Sequence, residues 1–364
     1  MNWSKRRVIV TGGAGFIGSN LVDRLLGLGA SVTVVDKLLF PEKSWVWQAK
    51  MERLSEIYSR NGRSDVQMQC MDLSTERDRF QLLATAHDVV FHLAAVFGGR
   101  EFVDIHQSEC SRMLAIDQNV ISASFDAGIE HLHYSSSACV YPPSLNREGH
   151  LLAEDDVLST GEGWQSSDNL YGFAKLLGEM QLLAFRREHG FKSSVSRYLT
   201  VYGPGELDAS HAIAALVEKA LDHQDPYVVW GSGNQERGFT YVDDIVNGSI
   251  LAAELVTDAT PVNLGWDTRY KIRDVADLIL EISRHTPSKI HYDTNKPEGP
   301  FSRALDIQRA RRLGWTPMVE LKEGLRRTID WHRDERRKRH GGPSPAQLPP
   351  IERQNAALRR PARV

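Results

Sequence analysis

Four side chains of this sequence are of the types that transfer protons or assist hydride transfer to a cofactor. Tyr171 and Lys175 are four residues apart, so a helix would place the phenol and the ammonium on one face. Cys139 lies two residues after a run of three serines that ends at Ser137, and His211 precedes an apolar helical pattern. A thiol and an imidazole have pKa values that proteins tune towards neutrality, as proton exchange with carbon requires. The sequence therefore suggests proton transfer at carbon in addition to oxidation and reduction.

A glycine loop separates the first predicted strand from the first predicted helix. It carries Gly12, Gly15 and Gly18, and Phe16 and Ile17 begin the helix. Glycines at this spacing permit a tight turn, close approach of the backbone to a pyrophosphate, and close packing of the helix on the strand. Because a strand precedes the loop and a helix follows it, the pattern predicts a dinucleotide site.

Acidic residues at the ends of the next two predicted strands bear on which dinucleotide binds. Asp36 ends the second strand, where a carboxylate accepts hydrogen bonds from both ribose hydroxyls and repels a 2′-phosphate. This favours NAD over NADP, although the adjacent Lys37 weakens the preference. Asp72 and Leu73 follow the third strand and would lie near the adenine; Asp72 could instead be a helix N-cap.

Five residues are predicted to be catalytic together with the cofactor: Ser137, Cys139, Tyr171, Lys175 and His211. Positive charge on Lys175 and on the oxidised cofactor ring would lower the pKa of Tyr171 and make it a base at neutral pH. Ser137 could hydrogen-bond the same substrate oxygen. In an extended segment the side chains of Ser137 and Cys139 would point the same way. The structural alternatives are a small buried filler for Cys139 and a helix-start or interface histidine for His211.

The elements that must position these groups follow from periodicity. Apolar runs alternate with helical patterns in the first half, which predicts βαβ units and a parallel sheet. Its strands are predicted at 8–10, 32–35, 66–70, 89–91, 132–134 and 195–198. Helices at 211–221, 242–255, 272–284 and 321–333, with small strands at 228–230 and 262–264, predict a second lobe. We therefore expect a Rossmann-type doubly wound α/β fold with an NAD-binding domain (1–203), a mainly substrate-binding, mixed α/β lobe (204–335) and a disordered basic tail (336–364).

Composition excludes several classes of protein. The chain has 364 residues with 41% hydrophobic and 25% charged residues and a formal net charge of -3. It has no apolar run near the ~20 residues that a membrane helix needs. Residues 333–364 carry nine Lys or Arg against three Asp or Glu, but no aromatic residue interleaves them, so we expect neither a nucleic-acid nor a membrane partner. Three cysteines without metal-like spacing predict no metal site and a reducing, cytoplasmic location.

Further motifs give the chain a family resemblance over residues 6–332. They are Phe-His-Leu-Ala-Ala at 91–95, Val-Tyr-Gly-Pro at 201–204, Arg-Gly-Phe-Thr-Tyr-Val-Asp-Asp at 237–244 and Leu-Gly-Trp at 313–315. With the glycine loop and Tyr-x-x-x-Lys, the chain resembles the extended short-chain dehydrogenase/reductase (NAD-dependent epimerase/dehydratase) family. The resemblance implies NAD(P) in the first lobe, a nucleoside-diphosphate sugar in the second, and homodimers formed through helices.

The resemblance also implies roles for single residues. Ala94 belongs to the cofactor site, and Arg237 and Arg303 contact the ribose or diphosphate. Thr200 stands where many members carry an Asn that touches the diphosphate. From their place after the fourth strand, Gly99 and Arg100 are expected to border the sugar; a simple flexible loop is the alternative.

The segment around Cys139 narrows the expected reaction. Ser-Ala-Cys-Val-Tyr-Pro at 137–142 is similar to the segment of GDP-mannose 3,5-epimerases and GDP-L-fucose synthases in which the Cys is an acid/base at carbon. The stretch around His211 resembles that of fucose synthases, whose His is the partner group, whereas mannose epimerases carry a Lys there. The resemblance implies a transient 4-ketone, made with Tyr171 and tightly held NAD, that acidifies C3 and C5 of a GDP-mannose-like NDP-hexose.

Three alternatives remain open. A fucose-synthase-like enzyme would also reduce the ketone and consume NADPH. A simple NDP-sugar 4-epimerase would leave Cys139 structural. A catalytically silent NAD-sensing or scaffold protein would need none of this chemistry, and the intact set of Ser137, Tyr171 and Lys175 argues against it.

Overall fold

The computed structural model of the protein describes residues 1–37, 44–96, 98–158, 167–207, 209, 211–296 and 298–341. Its strands are β1 (Arg7–Thr11), β2 (Ser31–Asp36), β3 (Met68–Cys70), β4 (Val89–His92), β5 (His131–Ser137), β6 (Ser193–Tyr198), β7 (Val201–Tyr202), β8 (Tyr227–Trp230), β9 (Glu236–Arg237), β10 (Thr240–Tyr241), β11 (Asp258–Leu264), β12 (Tyr270–Lys271), β13 (Ile290–Asp293) and β14 (Ser302–Arg303). Its α-helices are α1 (Phe16–Gly27), α2 (Ser44–Arg60), α3 (Arg77–Ala84), α4 (Arg100–Ile105), α5 (Gln107–Asp126), α6 (Leu170–His189), α7 (Ala212–Leu221), α8 (Val242–Leu255), α9 (Ile272–Ser283), α10 (Gln308–Arg312) and α11 (Leu321–Gly341).

The main sheet is parallel and doubly wound. In the described part of the chain it has seven strands in the order β11-β6-β5-β4-β1-β2-β3. Every residue of β4 and β6 is buried, as expected where helices cover both faces of a sheet. Helices α3, α5 and α6 pack together in one layer, and α1, α2 and α8 in another. The strand order reverses between β1 and β4, which opens a crevice at the carboxyl ends of the strands. The predicted Rossmann-type fold is confirmed.

One strand belongs to a different sheet from the one that the sequence predicts. The run at 262–264 was expected in the second lobe, but β11 pairs in parallel with β6, with Val262 opposite Ser196. Helix α8 packs on β6 and α1 and returns the chain to the main sheet. A short apolar run carries no information about which sheet it joins, because both environments bury it. Residues 242–264 thus lie with the main sheet although they follow position 203.

The second lobe is built from short strands and three longer helices. Strand β8 pairs with β13, and β12, β9 and β14 form a small sheet. Helices α7, α9 and α11 pack against one another. Helix α11 runs to Gly341, so the first six residues of the predicted tail are helical, and 342–364 lie outside the described residues. None of the helices in the described ranges is long and apolar enough to cross a membrane.

Candidate active site

A cavity of about 520 Å³ lies at the carboxyl ends of the parallel strands, between the main sheet and the second lobe. Of the predicted site residues, those that line it are Gly12, Gly15, Phe16, Ile17, Gly18, Ser137, Cys139, Tyr171, Lys175, Thr200, His211, Arg237 and Arg303. Those that do not line it are Asp36, Asp72, Leu73, Ala94 and Gly99. The side chain of Arg100 lies outside the described part of the structure.

The glycine loop fits the pyrophosphate of a dinucleotide. A Cβ on Gly18 would lie 2.1 Å from the carbonyl oxygen of Gly12, so only glycine lets α1 begin this close to the loop. Gly15, the N-cap residue of α1, offers no side chain to the first N–H groups of the helix. Phe16 and Ile17 bring this helix start to the cavity wall. Backbone N–H groups at a helix N-terminus are suited to bind phosphate, and the loop therefore fits NAD.

The acidic pair at the ends of β2 and β3 explains how Lys37 can be present at an NAD site. Asp36 accepts a hydrogen bond from the N–H of Ala14 at 3.1 Å. The Nζ atom of Lys37 lies 2.5 Å from Oδ2 of Asp72. Although burial opposes it, hydrogen bonds from Lys37 and Ser74 hold the pKa of Asp72 at about 2. The charge of Lys37 is thus balanced by a carboxylate, which removes much of its attraction for a 2′-phosphate.

Two predicted cofactor residues, Leu73 and Ala94, make hydrogen bonds within the protein and do not line the cavity. Leu73 is buried in the core, and its carbonyl accepts a hydrogen bond from Nδ2 of Asn119 at 2.9 Å. The backbone N–H of Ala94 donates to Oγ1 of Thr11 at 3.1 Å, which ties the end of β4 to the end of β1. A direct contact of either residue with the cofactor stays a prediction.

Helix α6 brings Tyr171 to the end of β5. Its N-cap residue, Asn169, accepts a hydrogen bond from the N–H of Gly172 at 3.1 Å. A Cβ on Gly172 would lie 2.0 Å from the carbonyl oxygen of Cys139, so this position must be glycine for the helix to approach the turn after β5. The approach sets Tyr171 beside Ser137 and Cys139 in the cavity wall.

The protein chain by itself raises the pKa of the Tyr171 phenol. Burial raises its pKa, the charge of a Cys139 thiolate would raise it further, and a hydrogen bond with Ser137 only partly offsets them. In the protein chain alone the pKa is raised because desolvation penalises the phenolate, and the lowering expected from Lys175 together with bound NAD stays a prediction. Bound NAD would supply a positive charge beside the phenol and an acceptor for hydride.

Lys175 is a buried cation of the site. Only 2% of its surface is exposed, and its Nζ lies 4.7 Å from the ring centroid of Tyr134. Burial lowers the pKa of Lys175, and the carboxylates of Asp117 and Glu179 raise it in opposition. Asp117 accepts hydrogen bonds from Tyr134, at 2.6 Å, and from His92, at 3.0 Å. These buried acids compensate the cation from the side away from the cavity.

Cys139 lies in a 3-10 turn, Ala138–Val140, and not in the extended segment that the sequence suggests. The turn forms because Oγ of Ser137 accepts the N–H of Cys139 at 3.2 Å, a local side-chain bond that competes with strand geometry. The extended-segment argument for a shared face is therefore wrong. Both side chains nevertheless line the same cavity.

Arg303 contacts the thiol. Its Nη1 lies 3.8 Å from Sγ of Cys139, its Nη2 lies 2.9 Å from Oδ2 of Asp168, and its Nε donates to Asn146 at 2.6 Å. Arg303 is nearly buried. Its expected contact with the sugar diphosphate stays a prediction, and its contact with Cys139 is a finding that the sequence did not suggest.

His211 is the N-cap residue of α7 and lines the cavity. Its Nδ1 lies 2.7 Å from Oε1 of Glu206, and its backbone N–H donates to the same oxygen at 3.2 Å. The Glu206 side chain is 3% exposed and that of His211 is 38% exposed. Sequence reasoning missed Glu206, although its place five residues before His211 in a loop was the available signal.

Two other predicted substrate residues have informative backbones or partners. Thr200 has a φ of 40°, the left-handed region that a β-branched residue rarely adopts. Asn tolerates this region better, which explains why an Asn fits the same position in similar sequences. Arg237 donates from Nη2 to the carbonyl of Glu298 at 2.9 Å, so its guanidinium is fixed at the cavity wall.

The cavity also contains an aromatic residue that no sequence argument singled out for binding. Trp230, at the end of β8, is 41% exposed and lines the cavity. The ammonium groups of Lys219 and Lys296 lie 5.6 Å and 4.8 Å from its ring centroid. An exposed indole between two cations is a suitable surface for a nucleobase linked to phosphates. Its signal was its position beside Gly231 in a short apolar run.

Comparison with known proteins gives the family of the chain. Residues 8–265 match the sequence model of the NAD dependent epimerase/dehydratase family. The chain belongs to this family. The predicted resemblance and the predicted cofactor, NAD, are thereby confirmed. Among the described residues, no group of three or more His, Cys, Asp or Glu side chains could hold a metal ion.

Individual relatives divide between GDP-linked and UDP-linked sugars. GDP-mannose 3,5-epimerase 1 of Oryza sativa subsp. indica is 30% identical over 338 residues, covering 91% of this chain and 82% of the relative. GDP-L-fucose synthase 1 of Arabidopsis thaliana is 25% identical over 339 residues, which cover 91% of this chain and 94% of the relative. The crystal structure of a UDP-glucose 4-epimerase from Thermotoga maritima with UDP-glucose superposes with a TM-score of 0.75 at 27% identity, covering 90% and 99%.

Proposed function

We propose that the protein is an epimerase that inverts C3, C5 or both of a GDP-mannose-like nucleoside-diphosphate hexose through a transient 4-ketone. The observation that carries the proposal is that one cavity holds Tyr171, Lys175 and Ser137 together with Cys139 and His211. The first three residues suffice for hydride exchange. The thiol and the imidazole have a use only if carbon-bound protons also move.

The proposed roles follow from position and chemistry. Tyr171 takes the proton of the C4 hydroxyl and returns it at the end, while Ser137 hydrogen-bonds the same oxygen. Lys175 supplies the positive charge that favours the phenolate. A ketone at C4 acidifies the neighbouring carbons, and Cys139 and His211 remove and return their protons from opposite faces. Hydride removal and return are the chemistry that bound NAD supplies.

The guanidinium groups and Trp230 suit the rest of such a substrate. Arg237 and Arg303 are planar cations at the cavity wall, as diphosphate recognition requires. Trp230 offers its face to the base. Cofactor preference favours the redox-neutral reaction over the reductive one, because Asp36 lies at the end of β2 and Lys37 is paired with Asp72. A reductase would consume NADPH instead.

The proposal extends to assembly and location. The exposed apolar residues Leu114 and Met180 lie on α5 and α6, which pack together. They support a homodimer formed through these helices. Cys70, Cys110 and Cys139 are free thiols, which suits a cytoplasmic enzyme.

Proton NMR of the purified protein with a panel of GDP- and UDP-hexoses in deuterated water tests the proposal. We expect deuterium at C3 or C5 of a GDP-hexose, an inverted product, and no net change in absorbance at 340 nm. Inversion at C4 without deuterium on carbon would establish a 4-epimerase instead. Net consumption of NADPH with a 4-keto sugar would establish the reductase.

A further inference from the structure

Glu206 is a buried carboxylate that makes two hydrogen bonds to one residue of the cavity wall, His211. It lies in the loop between β7 and α7, and its side chain is 3% exposed. Oε1 accepts from the backbone N–H of His211 at 3.2 Å and lies 2.7 Å from Nδ1 of the ring. Two bonds to the same oxygen fix both the backbone and the ring of His211. Burying a carboxylate is costly, so this geometry needs a compensating interaction.

The contact determines which ring nitrogen carries hydrogen. An ionised carboxylate only accepts hydrogen bonds, so Nδ1 of His211 must be the donor. In the neutral imidazole, the lone pair is then on Nε2. When His211 takes a proton at Nε2, the resulting imidazolium keeps its Nδ1–H bond to Glu206 and becomes a charge-assisted pair. The carboxylate thus favours one tautomer and also the protonated ring.

The loop that carries Glu206 is attached to the helix that begins at the glycine loop. Nδ2 of Asn20, on α1, donates to the carbonyl of Pro204 at 2.9 Å. Arg53, on α2, donates to Oδ1 of Asn20 at 2.8 Å and to Oγ of Ser19 at 2.9 Å. These bonds fix the backbone two residues before Glu206 relative to α1. The loop that holds His211 is therefore hydrogen-bonded to the helix that follows the glycine loop.

We propose that Glu206 is a positioning residue for His211, and this inference rests on the proposed epimerase function. In the forward step, the carbon beside the ketone gives its proton to one acid/base group and its electron pair to the enolate. The other group returns a proton to the opposite face of that carbon. Glu206 holds the His211 ring with Nε2 available for its half of this exchange, and does not itself touch the substrate.

The molecule provides a matched control. Glu218, on α7, pairs through Oε1 with Nδ1 of His332 at 2.6 Å. That pair joins α7 to α11, and neither residue lines the cavity. Glu218→Gln removes a carboxylate beside a histidine without altering His211. Because Glu218 also pairs with Arg336 at 2.5 Å, this variant reports the effect on folding of losing at least one such pair outside the cavity.

The experiment follows solvent-deuterium incorporation and the hydride step separately, with the GDP-hexose that the unmodified protein accepts. For Glu206→Gln we expect deuterium incorporation and kcat to fall roughly 10- to 100-fold, part of the 10²–10⁴ that a positioned acid/base group contributes. KM and the transient 340 nm signal should remain within twofold. Gln keeps a neutral acceptor oxygen but loses the negative charge that stabilises the imidazolium, whereas Glu206→Asp keeps the charge and should recover part of the loss. Glu218→Gln should leave incorporation unchanged.

Each other result has a definite meaning. Unchanged incorporation in Glu206→Gln overturns the inference and leaves the proposed function intact. A parallel loss of incorporation, hydride signal and melting temperature in both Glu206 variants assigns Glu206 a structural role and also overturns it. If the unmodified protein incorporates no deuterium from any nucleotide sugar, the proposed function itself fails, and the inference fails with it.

Discussion

The two sides of the cavity are built differently. Tyr171 and Lys175 lie on a long helix that packs on the buried ends of β5 and β6, and burial dominates their pKa values. His211 lies at a loop end, is 38% exposed, and has its ring hydrogen-bonded to the carboxylate of Glu206. Cys139 lies between the two, in a turn that α6 contacts. In the proposed function, the hydride side (Tyr171 and Lys175) is thus fixed by helix packing, and the proton side (Cys139 and His211) by local hydrogen bonds.

This difference matters for how the two sides respond to substitution. Groups held by packing keep their positions when a neighbour is removed, so loss of function there reports chemistry. When a group is held by a single hydrogen bond, removing its partner first displaces the group, and the loss of activity follows from that displacement. If the proposed function is correct, variants on the two sides should separate the hydride step from the proton step.

The largest effect is expected for Tyr171→Phe. Removal of the phenolic oxygen eliminates the proton acceptor for the C4 hydroxyl, so the ketone does not form and both steps fall by roughly 10²–10⁴-fold. Stopped-flow absorbance at 340 nm measures the hydride step and NMR in deuterated water measures the exchange. Tyr58→Phe is a matched control, because that buried hydroxyl donates to the carbonyl of Val32 far from the cavity. Exchange without a hydride signal in Tyr171→Phe would contradict a ketone intermediate.

An intermediate effect is expected for Cys139→Ala, and it should affect one step only. The variant keeps Tyr171, Lys175 and Ser137, so the 340 nm transient should persist. Deuterium incorporation should fall by about 10²-fold or more at the carbon that the thiol serves. Cys70→Ala, at an exposed position, is the control for thiol removal. Equal exchange in both variants would mean that Cys139 is a structural filler.

Much of the hydride side could be predicted from the sequence because its signals are local. The glycine spacing and the Tyr-x-x-x-Lys pair lie within single strand–loop–helix units, where periodicity and spacing determine geometry. The end of β2 at Asp36 was predictable for the same reason. The raised pKa of Tyr171 in the protein chain was not predictable, because the desolvation of the phenol depends on all the residues that fold over it.

On the proton side, the sequence predicted which residues take part, Cys139 and His211, but not the contacts that hold them. Arg303 contacts Cys139 across 164 positions of sequence, and such a contact exists only once the fold has brought β14 and the turn after β5 to the same cavity. Glu206 is near His211 in sequence, but a loop has no periodicity to indicate that its side chain turns inward. The placement of β11 in the main sheet was missed for a similar reason, because a short apolar run fits either sheet.

The smallest effect is expected at the ribose end of the cofactor site. Asp36→Ala should reduce the preference for NAD over NADP by about tenfold, equivalent to about 1.4 kcal/mol, because the carboxylate no longer repels a 2′-phosphate. Lys37→Ala should change the preference little, since its ammonium is already paired with Asp72 at 2.5 Å. Titrations of intrinsic fluorescence with each dinucleotide measure both. A strong gain in NAD preference in Lys37→Ala would show that Lys37 leaves Asp72 to meet phosphate, and would reopen the NADPH-consuming reaction.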